Sequence, residues 1–208
     1  MIRVTLDTNC IIDLEKRAQT ARHIRTLMKM HEDGKINLRV VAISASERKR
    51  DGTYGSNFAE FKNRIAALGL GSVEILKPLG HFDITYFDWC LFAHDENDPM
   101  VELERKIHGI LFPEIEFSYA EFCRRNGLDP NSGEVDKRWR NPKCDVLALW
   151  SHIYHRGDVF VTRDNNFHGP SKKPHLVALG AGEIMRPGEA VARLVRLGVL
   201  PSQSYHQA

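Results

Sequence analysis

Short apolar segments alternate along this chain with segments in which apolar residues have helical spacing. The predicted strands are residues 2–6, 38–43, 73–76, 159–162 and 176–179, and the main predicted helices are residues 20–31, 58–70, 144–155 and 187–197. A nearly continuous apolar strand such as 38–43 is typical of a sheet covered on both faces. Strands that alternate with helices form a mostly parallel sheet with helices on both faces. We therefore predict an α/β fold.

The 208 residues are the length of one domain, and 42% of them are hydrophobic, as in ordinary globular proteins. Residues 79–142 interrupt the regular pattern. In that region we predict helices around 96–109 and 117–126 and a loop at 127–142, because Gly, Pro and Asn cluster there.

Four acidic residues follow strands or begin helices in this scheme. Asp7 comes directly after the first strand and Asp164 lies two residues beyond Thr162. Glu47 is placed in the first turn of a helix after the second strand, and Asp145 begins the helix at 144–155. The carboxyl ends of parallel strands share one edge of the sheet with the helix N-termini that follow them. We therefore expect the four carboxylates to converge.

Carboxylates that share a site repel one another, and the repulsion raises the pKa of one of them. A divalent cation removes this cost. Oxygen ligands of this kind suit Mg²⁺ or Mn²⁺, which usually retain waters and bind phosphate. Such a metal can activate water for hydrolysis of a phosphodiester.

Each acid also has an ordinary structural interpretation. Asp7 and Asp164 are common types of turn residue. Glu47 completes an S-x-x-E capping box with Ser44, and Asp145 would favour the positive end of a helix. Their common edge is what favours the functional interpretation.

Basic residues flank two of these acids, although the net charge is only +2. Arg48, Lys49 and Arg50 follow Glu47, and Arg140 and Lys143 precede Asp145. Residues 1–50, 51–120 and 121–208 carry net charges of +5, −7 and +4. A basic rim would hold a phosphate backbone, and Trp139 is a candidate for stacking on a base. An ordinary solvated basic face is the alternative.

Four short motifs occur in one order: VTLDTN at 4–9, ISASE at 43–47, CDVLA at 144–148 and VTRDNNF at 161–167. With these motifs, the sequence resembles the PIN domain (PilT N-terminal) family of metal-dependent nucleases. Residues 184–189 resemble the closing strand and helix of that family. The resemblance covers residues 1–76 and 143–197.

The resemblance implies a three-layer α/β/α sandwich with an acidic Mg²⁺ or Mn²⁺ site that hydrolyses RNA, often in the toxin of a toxin–antitoxin pair. It implies catalytic and metal-binding roles for Asp7, Glu47, Asp145 and Asp164, with Asn9 and Thr162 supporting them. Compact toxins of the family are shorter between the second and third motifs. Residues 79–142 are therefore predicted to be an inserted helical lid or subdomain.

The leading hypothesis is a Mg²⁺- or Mn²⁺-dependent endoribonuclease with RNA as substrate. An antitoxin and a second copy of the chain are its expected partners. Four cysteines without a CxxC pair, and no apolar run of membrane-spanning length, predict a cytoplasmic protein without a membrane partner.

The main alternative is a non-catalytic RNA- or protein-binding module. A phosphatase that uses Asp7 as nucleophile would be expected to have a second Asp where Asn9 stands. The extra acids of a flap-type DNA nuclease are not evident.

Overall fold

The computed structural model describes residues 1–46, 57–131, 133 and 135–201. Its five strands form one sheet in the order β3-β2-β1-β4-β5, and all neighbouring strands are parallel. The strands are β1 Ile2–Leu6, β2 Ile36–Val41, β3 Glu74–Leu76, β4 Val159–Val161 and β5 Glu183–Met185.

Nine helices belong to the part of the chain described. They are α1 Thr8–Lys16, α2 Ala21–Glu32, α3 Phe58–Ala67, α4 Pro99–Leu111, α5 Tyr119–Asn126, α6 Lys137–Tyr154, α7 Asn165–His168, α8 Lys173–Leu176 and α9 Pro187–Arg196. Two 3₁₀ turns, Ala42–Ala45 and Phe87–Trp89, and a π-helical turn, Val177–Ala181, complete the elements.

Side chains of successive strand residues enter two separate hydrophobic cores, one on each face of the sheet. Val159 and Val161 belong to the core formed with α1, α2, α3 and α9, whereas Phe160 belongs to the core formed with α4, α5 and α6. This alternation follows from the two-residue period of a strand. The fold is therefore an α/β/α sandwich, which confirms the predicted class.

Register places the ends of β1 and β4 side by side. Leu6 pairs with Val161, and the Asp7 amide donates a hydrogen bond of 3.0 Å to the Val161 carbonyl oxygen. The residues that follow these two strands must therefore meet at the carboxyl edge of the sheet.

The prediction of a last strand at 176–179 was wrong. Leu176 ends α8, and the next residues form the π-helical turn, while the last strand is β5. The sequence Leu-Val-Ala-Leu has no polar alternation, and so short an apolar run does not distinguish a strand from a buried helical turn.

The predicted start of the helix at 144–155 was also wrong. Helix α6 begins at Lys137 with Asp136 as its N-cap, so Asp145 lies within the helix and Pro142 stands inside it. Ser44 lies in the first 3₁₀ turn, and its hydroxyl is 2.6 Å from that of Thr8. The helix predicted after it, with Glu47 in its first turn, falls on residues outside the described part of the chain.

Helices α4 and α5 and the start of α6 lie within residues 79–142. Ile107, Leu111 and Phe122 from this region pack in the same core as Val146 and Phe160. These helices are thus an integral part of one layer. That the region is an insertion stays a prediction.

No helix in the described part of the chain is long and apolar enough to cross a membrane.

Candidate carboxylate site

Asp7 is held rigidly at the end of β1, where it is also the N-cap of α1. Its Oδ1 accepts a hydrogen bond of 2.8 Å from the Thr8 amide. Its Oδ2 accepts one of 2.6 Å from the Thr162 hydroxyl and another from the Asn9 side-chain amide. The side chain is almost fully enclosed, and only 3% of the residue is exposed. The carboxylate thus has a fixed orientation.

Thr162 connects the acids at the ends of β1 and β4. Its hydroxyl donates to Asp7 and accepts from the Asn9 amide at 2.8 Å and from the Asp164 backbone amide at 3.0 Å. A hydroxyl can donate one hydrogen bond and accept two, so the Thr162 hydroxyl makes every hydrogen bond of which it is capable. Asn9 and Thr162 therefore both hold the Asp7 carboxylate in place, and their role as supports of a catalytic site stays a prediction.

Three of the sequence-predicted acids line one cavity of about 310 Å³ at this edge of the sheet. Asp7 follows β1, Asp164 caps α7 by accepting 2.8 Å from the Asn166 amide, and Asp145 reaches the cavity from α6. The remaining lining residues are Asn9, Ile12 and Arg163.

Burial raises the pKa of Asp7 to about 6, and the negative charge of Asp164 adds to this increase. Hydrogen bonds from Thr162 and Thr8 and the positive charge of Arg163 oppose it. A raised pKa means that the ionised form of Asp7 is destabilised at this position. A cation in the cavity would offset that destabilisation.

Arg163 also lines this cavity and was not among the sequence-predicted site residues, although it stands inside one of the motifs. Its guanidinium binds the buried Asp13 carboxylate through Nε and Nη2, at 2.5 and 2.7 Å. Asp13 also accepts a hydrogen bond from the Thr20 hydroxyl. Arg163 is therefore a preoriented cation at the cavity wall. No local pattern indicates this pairing, because Asp13 lies 150 residues earlier in the chain.

The predicted ligand Glu47 and the predicted RNA-binding residues Arg48, Lys49 and Arg50 lie outside the described residues. Arg140 is half-buried and donates 3.0 Å to the carbonyl oxygen of Ser46, the last residue before that gap. Its role in binding RNA stays a prediction.

Lys143 is in a place that contradicts the predicted role in binding nucleic acid. It is completely buried, and its Nζ lies 2.6 Å from the Glu104 carboxylate and donates 3.1 Å to the Phe117 carbonyl oxygen. Trp139 is buried as well, with its indole donating 2.9 Å to the Glu116 carbonyl oxygen. Neither side chain can reach a bound polymer, because α6 begins earlier than predicted and turns both into the core.

The cavity can be tested for its fit to a metal ion. Among the described residues, no group of three or more His, Cys, Asp or Glu side chains is close enough to hold a metal ion. However, Mg²⁺ commonly binds through one or two carboxylates and keeps several waters. Asp7 and Asp164 offer such ligands, and Asp145 faces the same space. The donor set therefore fits a hydrated Mg²⁺ or Mn²⁺.

Comparison with known proteins does not assign this chain to a family. No protein-family model matches the chain, and no curated protein matches it. One similar solved structure is that of VapBC2 from Rickettsia felis bound to a DNA fragment from their promoter. It has a TM-score of 0.40 and 11% identity, and the similarity covers 89% of this chain and 98% of that chain. A likeness at this level says nothing about the activity.

Proposed function

We propose that this chain is a PIN-like, Mg²⁺- or Mn²⁺-dependent endoribonuclease that acts in the cytoplasm. The observation that carries the proposal is that Asp7, Asp145 and Asp164 line the same cavity at the carboxyl edge of the sheet. A toxin role, an antitoxin partner and a homodimer belong to the same proposal and rest on the sequence resemblance. A small antitoxin-like gene directly upstream would support the toxin role.

A divalent cation in this site would supply Lewis-acid polarisation of a phosphodiester oxygen and a lower pKa for bound water. Asp7 and Asp164 would hold it, with Glu47 and Asp145 contributing directly or through water. Asn9 and Thr162 keep the Asp7 carboxylate in one orientation. Arg163 would donate to a phosphate oxygen of the substrate from the cavity wall. No single residue is assigned as the acceptor of a proton from the attacking water.

The test is cleavage of a panel of defined RNAs and matched DNAs by the purified chain. We expect internal cleavage of single-stranded RNA with Mn²⁺ or Mg²⁺ and none with EDTA. Binding of RNA without cleavage under all metal conditions would favour the non-catalytic module instead. Equal cleavage of DNA would contradict the RNA preference.

Metal affinity should fall at acid pH. The pKa of Asp7 in the metal-free protein is about 6, so a proton competes with the metal below that pH. For one such proton, the apparent Kd for Mn²⁺ should rise about tenfold between pH 7 and pH 5. Calorimetric titration at several pH values measures this. A Kd that stays constant over this range would contradict the assignment of Asp7 as a ligand.

Replacing Arg163 with Met should slow RNA cleavage by about 10- to 100-fold, since hydrogen bonds to charged groups contribute roughly 1.5–3 kcal/mol. Asp13→Asn should weaken cleavage less, because Arg163 stays present but loses its orientation. Steady-state kinetics measure both, with the exposed Arg25→Met on α2 as the matched control. If Arg163→Met behaves like Arg25→Met, Arg163 has no part in the reaction.

A further inference from the structure

Three phenylalanines are exposed around a small cavity that shares no lining residue with the cavity of Asp7, Asp145 and Asp164. Phe82, Phe87 and Phe92 have 90%, 74% and 55% of their surface exposed. With His81, Asp83 and Thr85 they line a cavity of about 190 Å³, the aromatic groove. Single exposed apolar residues are ordinary, but several large ones around one concavity mark an interaction site.

The backbone beneath the aromatic groove is fixed. The Gly80 amide donates 2.7 Å to the Leu91 carbonyl oxygen, and the Leu91 amide donates 2.8 Å to the Pro78 carbonyl oxygen. Gly80 packs so closely that a Cβ there would lie 3.0 Å from the Phe92 ring. Leu79 is buried in the core shared with α4 and α6.

Thr85 closes the turn at one end of the groove. Its hydroxyl donates 2.9 Å to the His81 carbonyl oxygen, and the His81 amide lies 2.9 Å from the same hydroxyl oxygen. The rings of Phe87 and Phe92 are 4.9 Å apart, centroid to centroid. The groove is therefore formed before any ligand arrives, which lowers the entropic cost of binding.

The residues around the groove are acidic, and this charge favours a cationic ligand. Residues 79–98 contain five carboxylates and neither Lys nor Arg. They are Asp83, Asp88, Asp95, Glu96 and Asp98, and all but the half-buried Asp98 are exposed. Asp83 lines the groove itself and also lines a second cavity, in which Arg140 is the cation among the lining residues. Such a rim repels the phosphates of RNA and attracts cationic side chains.

We propose that the aromatic groove docks a partner protein through a short basic segment. One large apolar side chain of that segment is seated among the phenylalanines, and flanking Lys or Arg side chains face Asp83 and its neighbouring acids. This surface belongs to residues 79–142, whose purpose the catalytic proposal leaves unexplained. The inference does not depend on nuclease activity.

Selection of random dodecapeptides against the immobilised full chain tests this proposal. We expect enrichment of peptides with an aromatic or aliphatic residue flanked by Lys or Arg. Fluorescence polarisation with the selected peptides, made synthetically, should show at least a tenfold loss of affinity for Phe82→Ser. Asp83→Asn should lose about threefold, and added salt should weaken binding, since exposed charges are screened. Leu200→Ser removes an exposed apolar residue elsewhere and should change nothing.

Phe82 is so exposed that its replacement should leave the thermal unfolding midpoint unchanged, which keeps the comparison interpretable. Selection of neutral or acidic peptides, or of none that depends on Phe82, would overturn the proposal. Competition by single-stranded RNA for the same site would assign the groove to nucleic acid. Dimerisation in sedimentation experiments that Phe82→Ser abolishes would assign it to a second copy of this chain.

Discussion

Asp7→Asn should reduce metal-dependent RNA cleavage by at least about 100-fold, because it removes a charged ligand of the proposed cation and even the residues that orient such ligands cost about 10- to 100-fold when replaced. The substitution keeps the shape of the side chain and an oxygen for the Thr8 amide, and it removes the negative charge that faces Asp164. Its NH₂ group replaces the oxygen that accepts from Thr162 and Asn9, so the fold of the variant has to be checked. Asp164→Asn should have a similar effect, and because Asn is as good an N-cap as Asp, α7 should persist. Single-turnover cleavage of a fixed RNA measures both.

Asp129→Asn is the matched control, since Asp129 is exposed and lies outside the cavity. Its rate should equal that of the wild-type chain. Thermal unfolding of all three variants shows whether a loss of rate is a loss of fold. Full cleavage by folded Asp7→Asn and Asp164→Asn proteins would exclude the carboxylate mechanism.

The largest expected effect on stability is at the buried ion pair between α4 and α6. Lys143 and Glu104 have side-chain exposures of 0% and 1%. Although burial favours the neutral acid, the hydrogen bonds and charges of His81 and Lys143 lower the pKa of Glu104 to about 2. Glu104→Leu leaves the Lys143 charge without a carboxylate and should cost about 3–5 kcal/mol of unfolding free energy. Lys143→Met should cost less, because Glu104 keeps His81, whose Nε2 is 2.9 Å from its carboxylate.

The double variant Lys143→Met/Glu104→Leu should recover most of this loss, because a buried ion pair and a well-packed apolar pair are often of similar stability. Urea unfolding of the four proteins measures the coupling. Additive losses would contradict a direct ion pair. If Lys143→Met instead left stability unchanged and weakened RNA binding, the sequence-based role of Lys143 would be restored.

The sequence was sufficient to predict the acids that follow strands. Asp7 and Asp164 are placed by the ends of β1 and β4, and parallel register brings neighbouring strand ends together whatever the rest of the chain does. The network through Asn9 and Thr162 follows from the same register, because both residues lie next to those ends.

Other positions depend on tertiary packing that local patterns do not encode. Asp145 reaches the cavity from within α6, since Asp136 caps that helix earlier and buried Trp139 anchors its first turn. Lys143 looked like part of a basic surface because its partner Glu104 lies 39 residues earlier, on another helix. The pairing of Arg163 with Asp13 spans 150 residues and has no local signature.

Binding of Mn²⁺ to the purified chain, followed by the loss of the free-ion signal in electron paramagnetic resonance, tests the central claim most directly. The claim is that aspartates from β1, β4 and α6 form one cation site. At pH 7 the wild-type chain should bind Mn²⁺ with a defined stoichiometry, and Asp7→Asn should bind at least tenfold more weakly, while Asp129→Asn should match the wild type. Equal binding by all three proteins would show that the cavity lined by Asp7, Asp145 and Asp164 is not a metal site.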